Sequence, residues 1–164
     1  MCCLFGIHDY RGSLTAPQKR RLISALAAAS EARGTDATGI AYNCDGHLAV
    51  YKRPWPAHLM RFRLPENVRC VMGHTRMTTQ GDEKQNCNNH PFVGTAGIPF
   101  ALAHNGILYN DKELRRERNL PDTNIETDSY IAVHLLEQQG NLSFSTIRTA
   151  AEALEGTLTL TILD

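Results

Sequence analysis

The chain has 164 residues, with 17 Lys and Arg set against 17 Asp and Glu for a formal net charge of zero. That balance argues against a nucleic-acid coat or a lodger on an anionic membrane, since both need excess positive charge. With 42% apolar and 21% charged residues the chain is too apolar for disorder, and no apolar run approaches the ~20 residues of a membrane-spanning helix.

A chain this long buries about two-thirds of its unfolded surface, so a single domain with a real core is expected. The opening Met-Cys-Cys-Leu-Phe-Gly-Ile lacks the basic and apolar regions of a signal peptide, which points to the cytoplasm. Leu4 to Ile7 reads as a short buried strand. Thr15 and Gln18 form a capping box, with Pro17 tolerated in the first turn. Behind it Leu22, Ile23, Leu26, Ala27 and Ala29 recur at helical spacing, and Gly34 is placed as the helix end. Segments 38–44 and 47–52 flank Asp45-Gly46, a hairpin signal. Pro54, Pro56 and Pro65 mark 53–67 as an irregular loop.

Val68 to Met72 is a further strand, followed by a polar stretch from Thr75 to His90, and Phe100 to Ala103 is another strand. Thr127 or Asn124 is placed to cap a helix that bears Ile131, His134 and Leu135 and ends at Gly140. Ile147, Ala151 and Leu154 suggest one more helix, closed by Gly156, and Leu158 to Leu163 alternates as a half-buried strand. Strands cluster rather than alternating with helices, so a layered α+β protein is favoured over a doubly wound sheet.

Cys2 stands out among the polar and reactive residues. Loss of Met1 would leave it as the chain terminus, with a thiol and an α-amine in one residue. The amine titrates near ~7.7–8.0 and the thiol near ~8.5, so the amine can accept the thiol proton at neutral pH. Read alone, Cys2 is a small apolar residue beside a strand. Arg76, at the end of Gly73-His74-Thr75-Arg76, offers a guanidinium fork for a carboxylate, or is a solvated surface arginine. Asn105 and Gly106, in His104-Asn105-Gly106, offer two donors to one oxyanion, or form an ordinary Asn-Gly turn. Asp128 suits an ammonium group, or complements a helix N-terminus. The five cysteines, Cys2, Cys3, Cys44, Cys70 and Cys87, contain no Cys-x-x-Cys pair, and the histidines form no His-Glu-x-x-His pattern. No metal site is expected.

Six ordered segments change the reading of these residues. They are Met-Cys-Cys-Leu-Phe-Gly-Ile at 1–7, Arg-Gly-Thr-Asp-Ala-Thr-Gly-Ile-Ala at 33–41 and Gly-His-Thr-Arg-Met-Thr-Thr-Gln-Gly at 73–81. The others are Asn-Asn-His-Pro-Phe at 88–92, Ala-His-Asn-Gly-Ile-Leu-Tyr-Asn at 103–110 and Glu-Thr-Asp-Ser-Tyr at 126–130. Together they resemble the glutaminase domain of class II glutamine amidotransferases, which are N-terminal-nucleophile hydrolases. Within that family the 73–76 and 104–107 segments look most like the glucosamine-6-phosphate synthase branch.

The resemblance implies a four-layer αββα sandwich, here ending before the family's last strands, with residues 1–164 forming one glutamine amidotransferase type 2 domain, truncated or stand-alone. It implies hydrolysis of the glutamine side-chain amide through a Cys2 thioester. Asn105 and Gly106 would stabilise the oxyanion, while Arg76, Thr79 and Asp128 would bind glutamine. Arg33 would be structural or orienting. No cofactor is implied. Ammonia would pass to a synthase on another chain or a further domain, perhaps in glucosamine-6-phosphate synthesis, with no nucleic-acid or membrane partner. An exposed sheet edge favours a homo-oligomer. Cys3 replaces a glycine of the family pattern, Met77 a tryptophan, and Gln80 a histidine. Two other readings stay open: a catalytically silent glutamine- or partner-binding module of the same fold, and a Cys-His hydrolase of another class using Cys87 and His90.

Overall fold

A computed structural model describes residues 2–164; the expectation that Met1 is removed concerns a residue outside those described. Strand β1, Cys3–His8, leads to helix α1, Ala16–Ser30. Both halves of the Thr15–Gln18 capping box are formed, and Pro17 lies in the first turn. Gly34 does not end this helix. A turn of 3-10 helix, Glu31–Arg33, intervenes, and Gly34 then has extended backbone. Its hydrogen is needed for another reason: a Cβ there would lie 2.4 Å from the Arg76 carbonyl carbon.

Strands β2, Ala37–Cys44, and β3, His47–Arg53, form the expected hairpin. Asp45 and Gly46 both take positive φ, 53° and 81°, the twist a two-residue turn requires. Strand β4 runs Cys70–Arg76, starting and ending later than the apolar run 68–72 suggests, because antiparallel pairing with both β1 and β2 carries it through the polar residues His74 to Arg76. Strand β5, Phe92–Ala96, was not expected, and β6, Ile98–Leu108, is far longer than Phe100 to Ala103.

A short helix α2, Asp111–Glu117, is also additional. Helix α3 spans Tyr130–Gln139 with Ser129, rather than Thr127 or Asn124, at its cap, and Gly140 ends it in the left-handed conformation. Helix α4, Phe144–Glu152, carries its own capping box of Ser143 and Thr146 and stops before Gly156, which opens β7, Gly156–Leu163.

The strands make two antiparallel sheets, ordered β1-β4-β2-β3 and β5-β6-β7. Period-two alternation explains how they stack. Phe5, Ile7, Ile40, Val71 and Tyr42 face α1 and the 57–64 segment, whereas Leu4, Ala41, Met72, Leu48 and Val50 face the second sheet. From that sheet Ala101, Ala103 and Leu163 point back, and the two alanines let the sheets approach closely. Phe100, Leu102, Leu158, Leu160 and Ile162 pack on α3 and α4 instead. The order helix, sheet, sheet, helix is the four-layer sandwich the resemblance implies. No helix of the described residues is long and apolar enough to cross a membrane.

Candidate active site

The same alternation builds the site. Cys2 lies two residues before Leu4; His74 and Arg76 lie two and four after Met72; Asn105 lies two after Ala103. All four therefore project from the inter-sheet faces at one end of the sandwich. Antiparallel pairing of Cys3 with Thr75 sets Cys2 beside Arg76.

Cys2 Sγ–H donates to the Met77 carbonyl at 3.6 Å, and the Cys2 carbonyl accepts from Arg33 Nε at 3.1 Å. Burial pushes the thiol above its ordinary range, while the Arg76 charge pulls the other way. Arg76 is only 3% exposed, so the reading of a solvated surface arginine fails. Its Nη1 donates to Asn89 Oδ1 at 2.6 Å, and its Nη2 to the Gln80 and Gly81 carbonyls at 2.5 and 3.2 Å. Every one of these acceptors is neutral, and among the described residues no ion pair involves Arg76.

Asp128, 7% exposed, has the opposite imbalance. Its Oδ2 accepts from the Leu108 N–H at 2.7 Å, and its Oδ1 from the Ser129 N–H at 2.8 Å. No described cation pairs with it. Arg76 and Asp128 line one cavity with Cys2, Thr79 and Gly106. A second, of about 100 Å³, joins Cys2, Thr79, Asn105 and Gly106.

The Asn-Gly pair is no ordinary turn. Asn105 and Gly106 sit within β6 opposite Thr159 and Leu158. Gly106 has φ 157°, and a Cβ there would lie 1.8 Å from the Thr157 carbonyl oxygen, so glycine is dictated by strand contact. The Asn105 amide makes no hydrogen bond to another described residue and is free to donate into its cavity. Thr79 is exposed on the rim. Thus Cys2, Arg76, Thr79, Asn105, Gly106 and Asp128 are brought together, and Arg33 holds the backbone of Cys2 from outside the cavities.

Sequence reasoning assigned no role to several neighbours. Asn89 sets the Arg76 guanidinium and is itself held by Lys52 Nζ on its carbonyl at 2.5 Å and by the Glu83 carbonyl, which accepts from its side chain at 2.8 Å. Burial lowers Lys52 to about 8. Behind the thiol, the His90 ring lies 4.2 Å from that of His74 and 4.3 Å from that of Phe92. His74 Nε2 meets the His104 carbonyl at 3.1 Å, and His104 bridges Ser129 Oγ at 2.8 Å and the Thr157 carbonyl at 3.1 Å. Donation from His104 Nε2–H leaves Nδ1 to accept from Ser129. Burial drives His74 down to about 3 and depresses His90 and His104, so these are neutral imidazoles. Both ring nitrogens of His90 and the Thr127 hydroxyl are buried without a described partner, and both residues line the Arg76–Asp128 cavity. The pairing of Cys87 with His90 is therefore not formed. The one signal in the sequence was the Asn88-Asn89-His90 run, whose function is visible only once Arg76 is placed against it.

The sequence is similar to those of known proteins. The glutamine–fructose-6-phosphate aminotransferase [isomerizing] of Bacillus thuringiensis subsp. konkukian is 34% identical over 141 residues, covering 82% of this chain and 23% of the relative. The enzyme of the same name from Bacillus licheniformis is 32% identical over 166 residues, covering 97% of this chain and 27% of the relative. The chain belongs to the class II glutamine amidotransferases. This amidotransferase chain spans about a quarter of the length of those relatives.

Its fold is that of the family. Glutamine phosphoribosylpyrophosphate amidotransferase from B. subtilis superposes with a TM-score of 0.72 at 21% identity, over 99% of this chain and 35% of that one. A glutamine amidotransferase structure from Pseudomonas aeruginosa gives 0.53 at 22% identity, over 79% of this chain and 56% of that one. No family model matches.

Proposed function

We propose that residues 1–164 form a single glutaminase domain that hydrolyses the side-chain amide of glutamine. The observation that carries this reading is one cavity holding a buried arginine without an anion and a buried aspartate without a cation, with a thiol at its edge. A free α-amino acid is a zwitterion and supplies both missing charges. Each buried charge left unpaired is costly, so binding the zwitterion relieves two penalties at once.

The cavity holds only about 20 Å³, room for about one water. Glutamine therefore enters by displacing the rim. Arg76 now grips the Gln80 and Gly81 carbonyls, and the α-carboxylate would exchange for them while Asn89 keeps the guanidinium in place. Thr79, on the same rim, would contact the ligand once it is seated, and Asp128 would take the α-ammonium.

Removal of Met1 would free the Cys2 amine to accept the thiol proton. The sulfur would then bond to the amide carbon. Asn105 Nδ2 and the Gly106 N–H would receive the oxyanion, an interaction typically worth ~2.7–4 kcal/mol of barrier per donor. On collapse the C–N bond breaks and the nitrogen leaves as ammonia with the proton from the amine. Water then cleaves the thioester, returning the thiol and releasing glutamate. The ammonia would serve a synthase module, on another chain or a further part of this one, in the cytoplasm. Steady-state glutamate and ammonia release tests the reading: Cys2→Ala should abolish both, and retained turnover would remove Cys2 as nucleophile.

A further inference from the structure

A cavity far larger than those beside Cys2 lies elsewhere in the protein. It occupies about 900 Å³ between the first turns of α1 and the segment 57–65. Its walls are cationic. Arg20 and Arg21 come from α1; Arg61 and Arg63 alternate with the buried Phe62 and Leu64, so both guanidinium groups face outward into the groove. A second lobe of about 420 Å³ is shared by Tyr42, Tyr51, Arg61 and Arg63.

No Asp or Glu lines either lobe, and among the described residues none of the four arginines forms an ion pair. Nearby carboxylates have partners other than the arginines, Glu31 through His58 of the groove wall. Glu66 accepts from the Ala16 N–H at 2.8 Å, and Glu31 binds His58 Nδ1 at 2.9 Å. Arg53, stacked 4.8 Å over Tyr51, adds a further cation beside the second lobe. In a chain of zero net charge, these guanidinium groups without ion pairs concentrate positive charge in one concavity, which favours an anionic occupant. Its volume suits a small molecule, and Tyr42 and Tyr51 supply the ring faces that a flat group would stack on.

We propose that this groove binds a polyphosphate-bearing small molecule, its phosphate chain spanning Arg20, Arg21, Arg61 and Arg63. Isothermal titration of the purified full chain with sodium tripolyphosphate, with ATP and with a poly-glutamate peptide tests it. Tripolyphosphate and ATP should both bind, more weakly at higher salt. Tighter binding of ATP identifies a nucleotide-like ligand that uses the tyrosines; equal affinities identify a site for the phosphate chain alone. Arg61→Glu with Arg63→Glu should weaken either ligand by at least ~tenfold. The ligand-free melting temperature should hold, since both side chains are exposed; the pair Arg61→Gln and Arg63→Gln gives the same readout should the reversal disturb folding. Absence of binding, binding indifferent to these substitutions, or a preference for poly-glutamate would overturn the proposal.

Discussion

Arg76→Lys separates charge from geometry at the centre of the site. Lysine keeps the positive charge but loses the planar fork. In the wild type that fork reaches Asn89 Oδ1 at 2.6 Å and the Gln80 and Gly81 carbonyls at 2.5 and 3.2 Å. A compact ammonium head cannot meet the Asn89 anchor and a ligand carboxylate together. The bound glutamine should thus lose one charge-assisted hydrogen bond, ~1.5–3 kcal/mol, equivalent to roughly a 10- to 150-fold fall in kcat/KM. Initial rates of glutamate release over a range of glutamine concentrations measure it, with the melting temperature as a control for folding. The discriminating arm uses a glutamine analogue whose α-carboxylate is amidated. Wild type should reject the analogue strongly, and Arg76→Lys should reject it much less. Unchanged KM together with unchanged discrimination would refute the assignment of Arg76 to the carboxylate.

Gly106→Ala should cost about 3 kcal/mol or more of stability, from steric overlap and strain at positive φ, because the new Cβ would meet the Thr157 carbonyl at 1.8 Å; a small shift in urea midpoint would contradict this. Arg33→Ala should lower kcat while leaving KM nearly unchanged, since Arg33 Nε holds the Cys2 carbonyl and lines neither cavity. Acid should destabilise the fold through its buried histidines. His74, held near 3 against an ordinary 6.5, binds no proton in the folded state between those values, whereas the unfolded chain does. Its contribution is present above pH ~6.5 and falls by roughly 1.4 kcal/mol per pH unit below it. His90 and His104 are depressed in the same direction. Urea midpoints should therefore drop steeply from pH 6.5 towards 4, and His90→Phe should flatten the decline.

Local signals were readable where the chain closes its interactions locally. The Thr15–Gln18 box, the Asp45-Gly46 hairpin and the left-handed Gly140 each depend on a few adjacent residues. Strand β5 was hidden by Gly94 and Gly97 within or beside it. Gly94 looks like a breaker but is there because a Cβ would lie 2.5 Å from Phe100 and 2.6 Å from Val133. The start of helix α4 carries no familiar signal because its box uses Thr146 in place of the usual Glu or Gln. The candidate site followed the same division. Cys2, Arg76, Asn105, Gly106 and Asp128 are found from ordered motifs, and strand parity explains how the first three converge. Asn89, His90 and Ser129 act through contacts 13 to 25 residues away in sequence or across the sheets, which no local pattern encodes.

The claim on which the rest depends is that Cys2 becomes the chain terminus and attacks glutamine. Intact and peptide mass spectrometry after exposure to a glutamine-mimicking electrophile tests it directly. The account predicts a chain lacking Met1 that carries one adduct, on Cys2, suppressed by excess glutamine. Persistence of Met1 in chain that still releases glutamate, or an adduct on Cys3, Cys44, Cys70 or Cys87 with Cys2 unmodified, would contradict it.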